Sequence, residues 1–512
     1  MKTEFSEKQL GLIVSRQHAS YDDQLRHWEF LKESYYGGPG YFSNGNIFKH
    51  AKETSISYSN RIKRAYRFNH TKEVVDLINK YVFRGDIVRS EDAPQFLKDY
   101  WKQASWERRT IEQFIYQTSI QSSNFGRPWI IVDTNRCDAI SANLGKVSVK
   151  QEKDAEHRLY TYVVEPQDVK DYAYDDDGCL EWIIIRETHR DDSDPFEDVG
   201  QVYFQYKLWT KNEWYLIRDA RVEETTVATN AGGHNTALPT TEQNEAYELI
   251  DSGEHNLGEV PAIPANHLEA PEGEEPLGLI SDIAYLDRAI ANYLSNLDEI
   301  IQHQAFSQLA IPIQGLKHLP QPEEGCNNKQ AQLQQMIAMG TDSIFTFDGE
   351  DGAVPFYLNP DPKHASLIME IVGRIIQEIY SVAGLSAERT NKDNAVGIDN
   401  TSGVSKAFDF DRVNSLLVNK GRSLQRIENR IAHFVALYKG ESLEKEYVSY
   451  SESYDTRTLS DDLALIKELT EIAAPEEFRK FVMEQLQEKT FPQLTEESVS
   501  YTHLTLPTIC SV

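Results

Sequence analysis

Large apolar residues between positions 279 and 300 recur at alternating steps of four and three. This heptad repeat predicts a single helix with its apolar side chains along one face, about 33 Å long at about 1.5 Å per residue. The sequence shows no coiled-coil partner of equal length within the chain, so we expect neighbouring helices to cover the stripe. The stripe consists of Leu279, Ile283, Leu286, Ile290, Tyr293, Leu297 and Ile300.

A compact αβ insert separates this helix from a second apolar-striped helix. Prolines at 312, 320, 322, 360 and 362 interrupt the helical pattern. We predict a short helix, Lys329–Ala338, and two strands, Ser343–Phe347 and Ala353–Leu358, within the insert. The stripe of the second helix consists of Ile368, Ile371, Ile375, Ile379 and Val382.

The rest of the chain combines helices with strands. Between residues 145 and 220 the apolar period becomes two, which predicts an antiparallel meander, and residues 222–246 are predicted to form a loop. A polar loop, Ser386–Ser402, precedes a long C-terminal helix. The fold class is therefore α+β. The remaining predicted helices are Tyr21–Tyr36, Tyr58–Phe83, Ala93–Ser122, Val404–Tyr438, Asp461–Ala473 and Pro475–Gln487.

The charge balance limits the function. The chain has 512 residues, with 52 Lys and Arg against 81 Asp and Glu, and a net charge of −29. A protein that coats DNA needs Lys and Arg to release counterions from the phosphates. The excess of acidic residues therefore argues against a DNA-coating protein, but not against a protein that DNA slides past. The N-terminus lacks the apolar run of a signal peptide, and no apolar run could cross a bilayer. We expect a soluble protein made in the cytoplasm.

Recognisable catalytic and metal-binding motifs are absent from the sequence. It has no phosphate-binding GxxxxGK[ST] loop and no HExxH, GxSxG or GxGxxG motif. The widely spaced cysteines indicate neither a zinc site nor a disulfide framework. The acidic runs at 175–177 and 191–194 are typical of solvated turns and loops. One basic cluster could contact phosphate or form a solvated or salt-bridged helix face; it consists of Arg61, Lys63, Arg64 and Arg67.

The last fourteen residues differ from the rest of the chain. Val499–Val512 contains no Asp, Glu, Lys or Arg, although 26% of the chain is charged. Its first ten residues resemble the translation of a transposon-type DNA-sequencing adapter, and the alternative is a β-rich natural terminus. We therefore expect the native sequence to stop near Ser498 and to be truncated there, with Cys510 and His503 carrying no information.

Several sequence segments, taken in their order along the chain, resemble the portal proteins of tailed double-stranded DNA phages over roughly residues 40–440. No single segment is a diagnostic motif, and the resemblance depends on the order of the segments. The segments are YTYVVEPQDVKDYAYDDDGCLEWIII at 160–185, NLGEVP at 256–261, PLGLISDI at 276–283, GTDSIF at 340–345, IYSVAGL at 379–385 and SGVSK at 402–406.

The resemblance implies a portal-type fold with a helical and antiparallel-β wing, two long stem helices, a small αβ clip and a helical crown. Mapped onto this chain, it predicts the following segments: wing 1–276, first stem helix 277–306, clip 307–362, second stem helix 363–385, tunnel loop 386–403, wing return helix 404–455 and start of the crown 456–498, followed by the adapter-like residues 499–512.

The implied function is a ring of usually twelve subunits at one capsid vertex of the virion, forming the channel for DNA packaging and ejection. The implied partners are double-stranded DNA, the terminase large subunit, a head-completion adaptor, and the major capsid and scaffolding proteins. The resemblance implies no enzymatic activity, cofactor, metal or membrane. Neighbouring subunits of a ring would also cover the heptad stripe. Within the tunnel loop, the DNA-facing candidates are Arg389, Lys392 and Asn394.

Two other functions stay open from the sequence. A head–tail connector or minor capsid protein without a channel would share the particle but not pair the two striped helices as a stem. A carboxylate-metal nuclease would need acidic residues clustered in a pocket. An acidic channel wall would repel phosphates and leave DNA free to move, so the acidic balance favours the portal hypothesis.

Overall fold

The computed structural model describes residues 5–51, 53–134, 158–190, 202–219, 247–268, 276–305, 308–312, 345–347, 354–358, 363–385, 403–452 and 454. Five sets of predictions lie outside these ranges. They are the acidic run at 191–194, the loop at 222–246, the helix Lys329–Ala338, the tunnel-loop residues Arg389, Lys392 and Asn394, and everything predicted after residue 455. Side chains at 403–411 are likewise outside the description.

The N-terminal part is helical, as the spacing predicts. Its helices are α1 (Glu7–Ser15), α2 (Tyr21–Tyr36), α3 (Pro39–Ser43), α4 (Ser55–Arg64), α5 (His70–Val82), α6 (Gln95–Lys102) and α7 (Ile111–Phe125). A short strand, β1 (Ile87–Arg89), lies between α5 and α6. The helix Tyr21–Tyr36 is thus confirmed at both ends.

Two predicted helices are wrong because each is in fact a pair. The segment 58–83 breaks at residues 65–69, where Asn69 adopts φ 53° and its side-chain oxygen accepts from the backbone N–H of Lys72, which starts α5. The segment 93–122 breaks at residues 103–110, where Thr110 and Gln113 form a capping box that starts α7. Apolar periodicity continues across both breaks, so only the caps signal them.

The predicted meander is confirmed from residue 169 onward as a five-stranded antiparallel sheet in the order β4-β5-β6-β7-β8. The segment 159–164 is not part of it, which corrects the prediction. This segment is β3, and it pairs with β2 from an earlier part of the chain, in a second antiparallel sheet of order β3-β2-β9. The strands are β2 (Trp129–Thr134), β3 (Leu159–Val164), β4 (Val169–Tyr174), β5 (Leu180–Arg190), β6 (Val202–Thr210), β7 (Glu213–Asp219), β8 (Tyr247–Glu254) and β9 (Ala262–Pro264).

The two sheets pack face to face and share an apolar core. Ile183, Ile185 and Trp209 of the larger sheet meet Trp129 and Ile131 of the smaller one. The opposite face of the larger sheet is covered by α1, whose Leu10 and Val14 pack on its central strands. Both faces of β5 are therefore covered, which explains its continuous apolar run.

Two long helices flank the insert. They are α8 (Ile283–Ala305) and α9 (Lys363–Val382). Between them lie β10 (Gln308–Pro312), β11 (Phe345–Phe347) and β12 (Phe356–Leu358). Antiparallel pairing of Gln308 with Leu358 brings the end of α8 beside the start of α9. The two helices pack against each other and consequently run in opposite directions.

The insert differs from the prediction in one respect. The strands β11 and β12 were expected, but β10, for which no strand was predicted, lies between them and pairs with both, parallel to β11 and antiparallel to β12. Its proline at position 312 is the last residue of the strand and lies beyond residues 308–310, which pair with β12. The chain then continues with α10 (Gly403–Tyr438) and β13 (Val448–Tyr450), which pairs with β1.

A close backbone contact joins the end of α7 to the segment before α8. Gly126 follows α7 with φ 86°, and a Cβ at this position would overlap the carbonyl oxygen of Pro276. Gly278 meets the backbone of Asn124 equally closely. Only glycines allow these two backbones to touch, so α7 fixes where α8 begins.

Candidate functional site

The heptad stripe of α8 is covered within the chain, which corrects the expectation that it lacks an intrachain partner. Ile283 and Ile290 have no exposed surface, and Leu297 is 7% exposed. Leu279, Leu286 and Tyr293 are partly buried in the same core, whereas Ile300 is only half-buried. The covering residues come from α9 and from α5, so folding of one subunit is enough to bury the stripe.

The predicted stripe of α9 is confirmed in part. Ile379 is fully buried, and Ile368 and Ile375 pack, partly buried, against the main core, whereas Val382 is 44% exposed. The other buried residues of the helix are Val372, Ile376 and Tyr380, which are not part of the predicted stripe. The helix carries aliphatic residues on several faces, so periodicity alone could not select the buried one. Tyr380 also fixes α9 to α5, because its hydroxyl donates a hydrogen bond to the Glu73 carboxylate at 2.5 Å.

The outer surface of the α8–α9 pair mixes apolar and charged groups. Exposed apolar side chains lie near the insert, with Ile301, Leu367 and Met369 each about half exposed. Two acidic and two basic residues give α9 a formal charge of zero, and α8 carries three acidic residues and one basic residue. The acid excess of the whole chain is therefore not concentrated on this pair.

The position of the predicted tunnel loop is defined only by its ends. The chain leaves α9 through Gly384, at φ 74°, and Leu385, which is fully buried. Gly384 lies next to the side chain of Arg412 on α10. Since α10 begins at Gly403, residues 386–402 connect two helices that both belong to the main apolar core.

The basic cluster is structural, and its phosphate-binding interpretation is not supported. Arg61 is 1% exposed; its guanidinium contacts Glu53 at 2.7 Å and donates to the Ser295 hydroxyl of α8 at 2.9 Å. This hydrogen bonding to Glu53 raises the pKa of Arg61. Arg64 contacts Asp298 at 2.9 Å. Lys63 and Arg64 are exposed, whereas Arg61 and Arg67 are not.

The fourth member of that cluster forms the most buried ion pair among the described residues. Arg67 contacts Asp287 of α8 at 2.7 Å, with the two side chains 5% and 1% exposed. The same carboxylate oxygen of Asp287 accepts from the Thr71 hydroxyl at 2.8 Å. The guanidinium also lies over the ring of Tyr41, 4.1 Å from its centroid. The arginines thus attach α8 to the N-terminal helices.

The acidic run at 175–177 is a turn, as predicted. The Asp175 carboxylate accepts from the backbone N–H groups of Asp177 and Cys179, and it forms an ion pair with Lys211 at 2.7 Å. Throughout the ranges that the structure describes, no three His, Cys, Asp or Glu side chains converge as metal ligands. Within the same ranges, no helix has the length and hydropathy needed to span a bilayer.

The described residues form a small cavity and a more open groove. A cavity of about 70 Å³ lies among aromatic residues including Trp28, Trp129 and Tyr172, far below the several hundred Å³ typical of small-molecule sites. A more open groove of about 460 Å³ runs past Tyr36, Trp106 and Gln117. Neither resembles the acidic pocket that a carboxylate-metal nuclease would need.

The structure reveals one polar cluster that the sequence analysis missed. Lys420 of α10 is fully buried, and its Nζ lies 2.8 Å from Ser123 Oγ, 3.1 Å from the Ser119 carbonyl oxygen and 3.0 Å from Nδ1 of His267. The signal was available, because Lys420 occupies a core position of the repeat formed by Val413, Leu417, Leu424, Ile427 and Ile431.

Comparison with known proteins gives weak likenesses only. No protein-family model matches the chain, and no curated protein matches it. A chain of the structure "Virion of native gene transfer agent (GTA) particle" aligns over 93% of this chain and 99% of its own length, with 10% identity and a TM-score of 0.36. A chain of "Neck of empty GTA particle computed with C6 symmetry" aligns over 85% and 89%, with 10% identity and a TM-score of 0.33. Likenesses at these TM-scores carry no argument about this chain.

Proposed function

We propose that the chain is a structural subunit of the head or neck of a phage-like particle, and more specifically the portal subunit that forms a ring around a DNA channel. The observation that carries the proposal is the α8–α9 pair. Two long helices run in opposite directions, meet at a strand-containing insert, and are followed by a polar loop and a longer helix. This is the order that the portal resemblance implies for stem, clip, stem, tunnel loop and wing.

The attachment of α8 to the N-terminal helices supports a stem whose first helix is held rigidly along its length. Arg67 and Arg64 form ion pairs with Asp287 and Asp298 of α8. Arg61 donates to the Ser295 hydroxyl of the same helix, and Tyr380 ties α9 to α5. Near the insert, Ile301, Leu367 and Met369 are exposed. An exposed apolar surface of this kind suits contact with neighbouring subunits.

The near-neutral α8–α9 pair changes one part of the hypothesis. If these helices line a channel, weak DNA binding there would come from a lack of net positive charge, not from a strongly acidic wall. In this proposal the loop at 386–402 contacts the DNA, and the candidate contact residues are Arg389, Lys392 and Asn394. Terminase and head-completion proteins would dock on the insert, and no enzymatic activity is proposed.

The test is the assembly state of the purified full-length chain. Mass photometry and electron microscopy are expected to show a closed ring of about a dozen subunits with a central opening. A chain that stays monomeric at high concentration would contradict the proposal. A closed assembly without a central opening would favour a connector that forms no channel. Metal-dependent DNA cleavage, lost on one Asp substitution, would favour a nuclease.

A further inference from the structure

The polar cluster around Lys420 joins two helices through the protein interior. We call it the α7–α10 joint; it consists of Lys420, Ser119, Ser122, Ser123 and His267. All five side chains are at most 2% exposed. The joint lies where the last turns of α7 meet the middle of α10, with His267 supplied by the segment after β9.

The hydrogen bonds of the joint fit an uncharged amine. The Ser122 and Ser123 hydroxyls both donate to the Ser119 carbonyl oxygen, so their oxygens are free to accept from Lys420. A neutral amine has two N–H donors and one lone pair. It can donate to the Ser119 carbonyl and to Ser123 Oγ, and accept from Nδ1–H of His267, which uses every group it has.

A charged amine fits the same geometry less well. An ammonium could give its third N–H to Ser122 Oγ, but only at 3.4 Å. At 3.0 Å from a cation, Nδ1 of His267 has to be an acceptor, with the imidazole proton on Nε2. That Nε2 is buried and contacts no hydrogen-bond partner among the described residues, and a buried N–H without a partner destabilises the state that contains it. The C-terminal carbonyls of α7 favour a cation, but burial outweighs them and lowers the pKa of Lys420 to about 7.

Among the described residues, no carboxylate contacts the joint. Within them, the titratable group that contacts Lys420 is His267, whose pKa burial and the Lys420 charge hold well below its usual range. Arg127 is bonded to Asn266, the residue before His267, and Tyr454 packs on Gly421, the residue after Lys420, but neither is hydrogen-bonded to Lys420. Two bases therefore share one enclosed space, and no anion from the described residues stabilises a proton there.

We propose that the α7–α10 joint is a proton-sensitive lock, closed while Lys420 and His267 are both neutral and weakened when acidification adds a proton. Because α10 begins directly after residues 386–402, the lock controls how firmly the helix that carries this loop is held on α7. The inference depends only on the joint, and it stands whether or not the chain forms a ring.

The direction of the pH dependence follows from linkage. In the unfolded chain a lysine titrates near pH 10.4, so between that pH and about 7 the unfolded state binds one more proton than the folded state. The stability contributed by neutral Lys420 is therefore complete above about pH 10 and is lost as the pH falls to about 7. Because the pKa of His267 is also lowered in the folded state, the stability decreases further as the pH falls below about 6.5.

The first experiment measures chemical unfolding of the full chain from pH 7 to 9.5. The wild-type unfolding constant is expected to change about tenfold per pH unit more steeply than that of Lys420→Met, which packs a similar chain without the amine. Lys8→Met, at an exposed lysine of α1, is the matched control and is expected to keep the wild-type slope. Equal slopes for wild type and Lys420→Met would overturn the proposal.

The second experiment uses the wild-type protein alone, so it stands even if Lys420→Met fails to fold. Hydrogen–deuterium exchange of peptides covering 117–125 and 416–424 is measured at pH 7, 8 and 9 and corrected for the intrinsic exchange rate. Protection of both peptides is expected to fall about tenfold per pH unit toward pH 7, while a peptide from β5 changes less. Protection that does not depend on pH in these two peptides would overturn the proposal.

Discussion

Arg67 and Asp287 show how single residues position the longest elements. Each side chain is almost fully buried, and the two lie on segments separated by more than two hundred residues in sequence. Asp287 stands one position after Leu286 of the heptad stripe, on the side of α8 that faces the N-terminal helices. An ion pair at this depth is costly to form but even more costly to break, because either charge left alone is buried without a partner.

Replacing Arg67 with Ala is therefore expected to lower the free energy of unfolding by about 3–5 kcal/mol. The measurement is chemical denaturation at neutral pH. Arg374→Ala is the matched control, since the Arg374–Glu370 pair on α9 is exposed, at 78% and 63%. An exposed pair contributes about 0–1 kcal/mol. If the two variants lose equal stability, the Arg67–Asp287 pair is not what attaches α8.

At the scale of elements, α8 is buried on two sides. Its heptad stripe packs against α9 and α5, while Ile280 before the helix and Ala284 and Ala291 within it face the core formed by α2 and α3. Small residues on the second side allow the N-terminal helices to approach closely. The helix α8 is consequently a central element of one subunit, and its apolar faces are buried without a neighbouring subunit.

Replacing Ile290 with Asp is expected to prevent folding of the single subunit, because the side chain is fully buried and would leave a carboxylate without a partner. Circular dichroism and proteolysis of the expressed chain check this. Ile301→Asp, on the same helix but 49% exposed, is the control and should fold. A well-folded Ile290→Asp monomer would mean that the stripe is an interface between subunits after all.

At the scale of the whole molecule, the chain is acidic, but its acidic residues are unevenly placed. The net charge is −29, whereas α9 is neutral and the arginines of α4 and the following turn are already paired with carboxylates. In the proposed ring, sequence-independent contact with DNA would therefore come from the loop between α9 and α10.

Combined Arg389→Ala and Lys392→Ala substitutions are expected to reduce DNA packaging or retention several-fold while rings still form. Packaged DNA protected from nuclease is the measurement, and electron microscopy of the variant verifies the rings. Lys63→Ala, an exposed basic residue of α4, controls for loss of charge alone. Normal DNA packaging by the double variant would contradict the prediction that Arg389 and Lys392 contact DNA in the channel.

The fold was predictable where local pattern and burial agree. The helix α2, the strands β5 to β7 and the helices α8 and α10 follow from apolar periodicity within one segment. The breaks before α5 and α7 were missed because apolar spacing continues across them and only the caps at Asn69 and Thr110 mark the new helices. The strand β10 was missed because its partners lie far along the sequence.

The candidate site was less predictable than the fold. Sequence spacing could not tell whether Arg61 and Arg67 face solvent, because a basic residue on an amphipathic helix is usually exposed. Their carboxylate partners include Asp287, on a helix more than two hundred residues away. Lys420 could not be identified for the opposite reason. It occupies a core position of an apolar repeat, but a lysine is seldom fully buried, so the sequence favours an exposed side chain.

By itself the sequence determined the fold class, the two striped helices with an insert between them, and the absence of familiar catalytic motifs. These properties depend on the spacing of apolar residues and on composition, and both can be read from the sequence without knowing which distant segments meet. Only the tertiary structure decided which faces of α8 and α9 are buried, that the arginines are paired, and that Lys420 meets His267 and three serines. Those outcomes depend on contacts between distant segments, and the free energy of a buried charge is set by what those segments bring next to it.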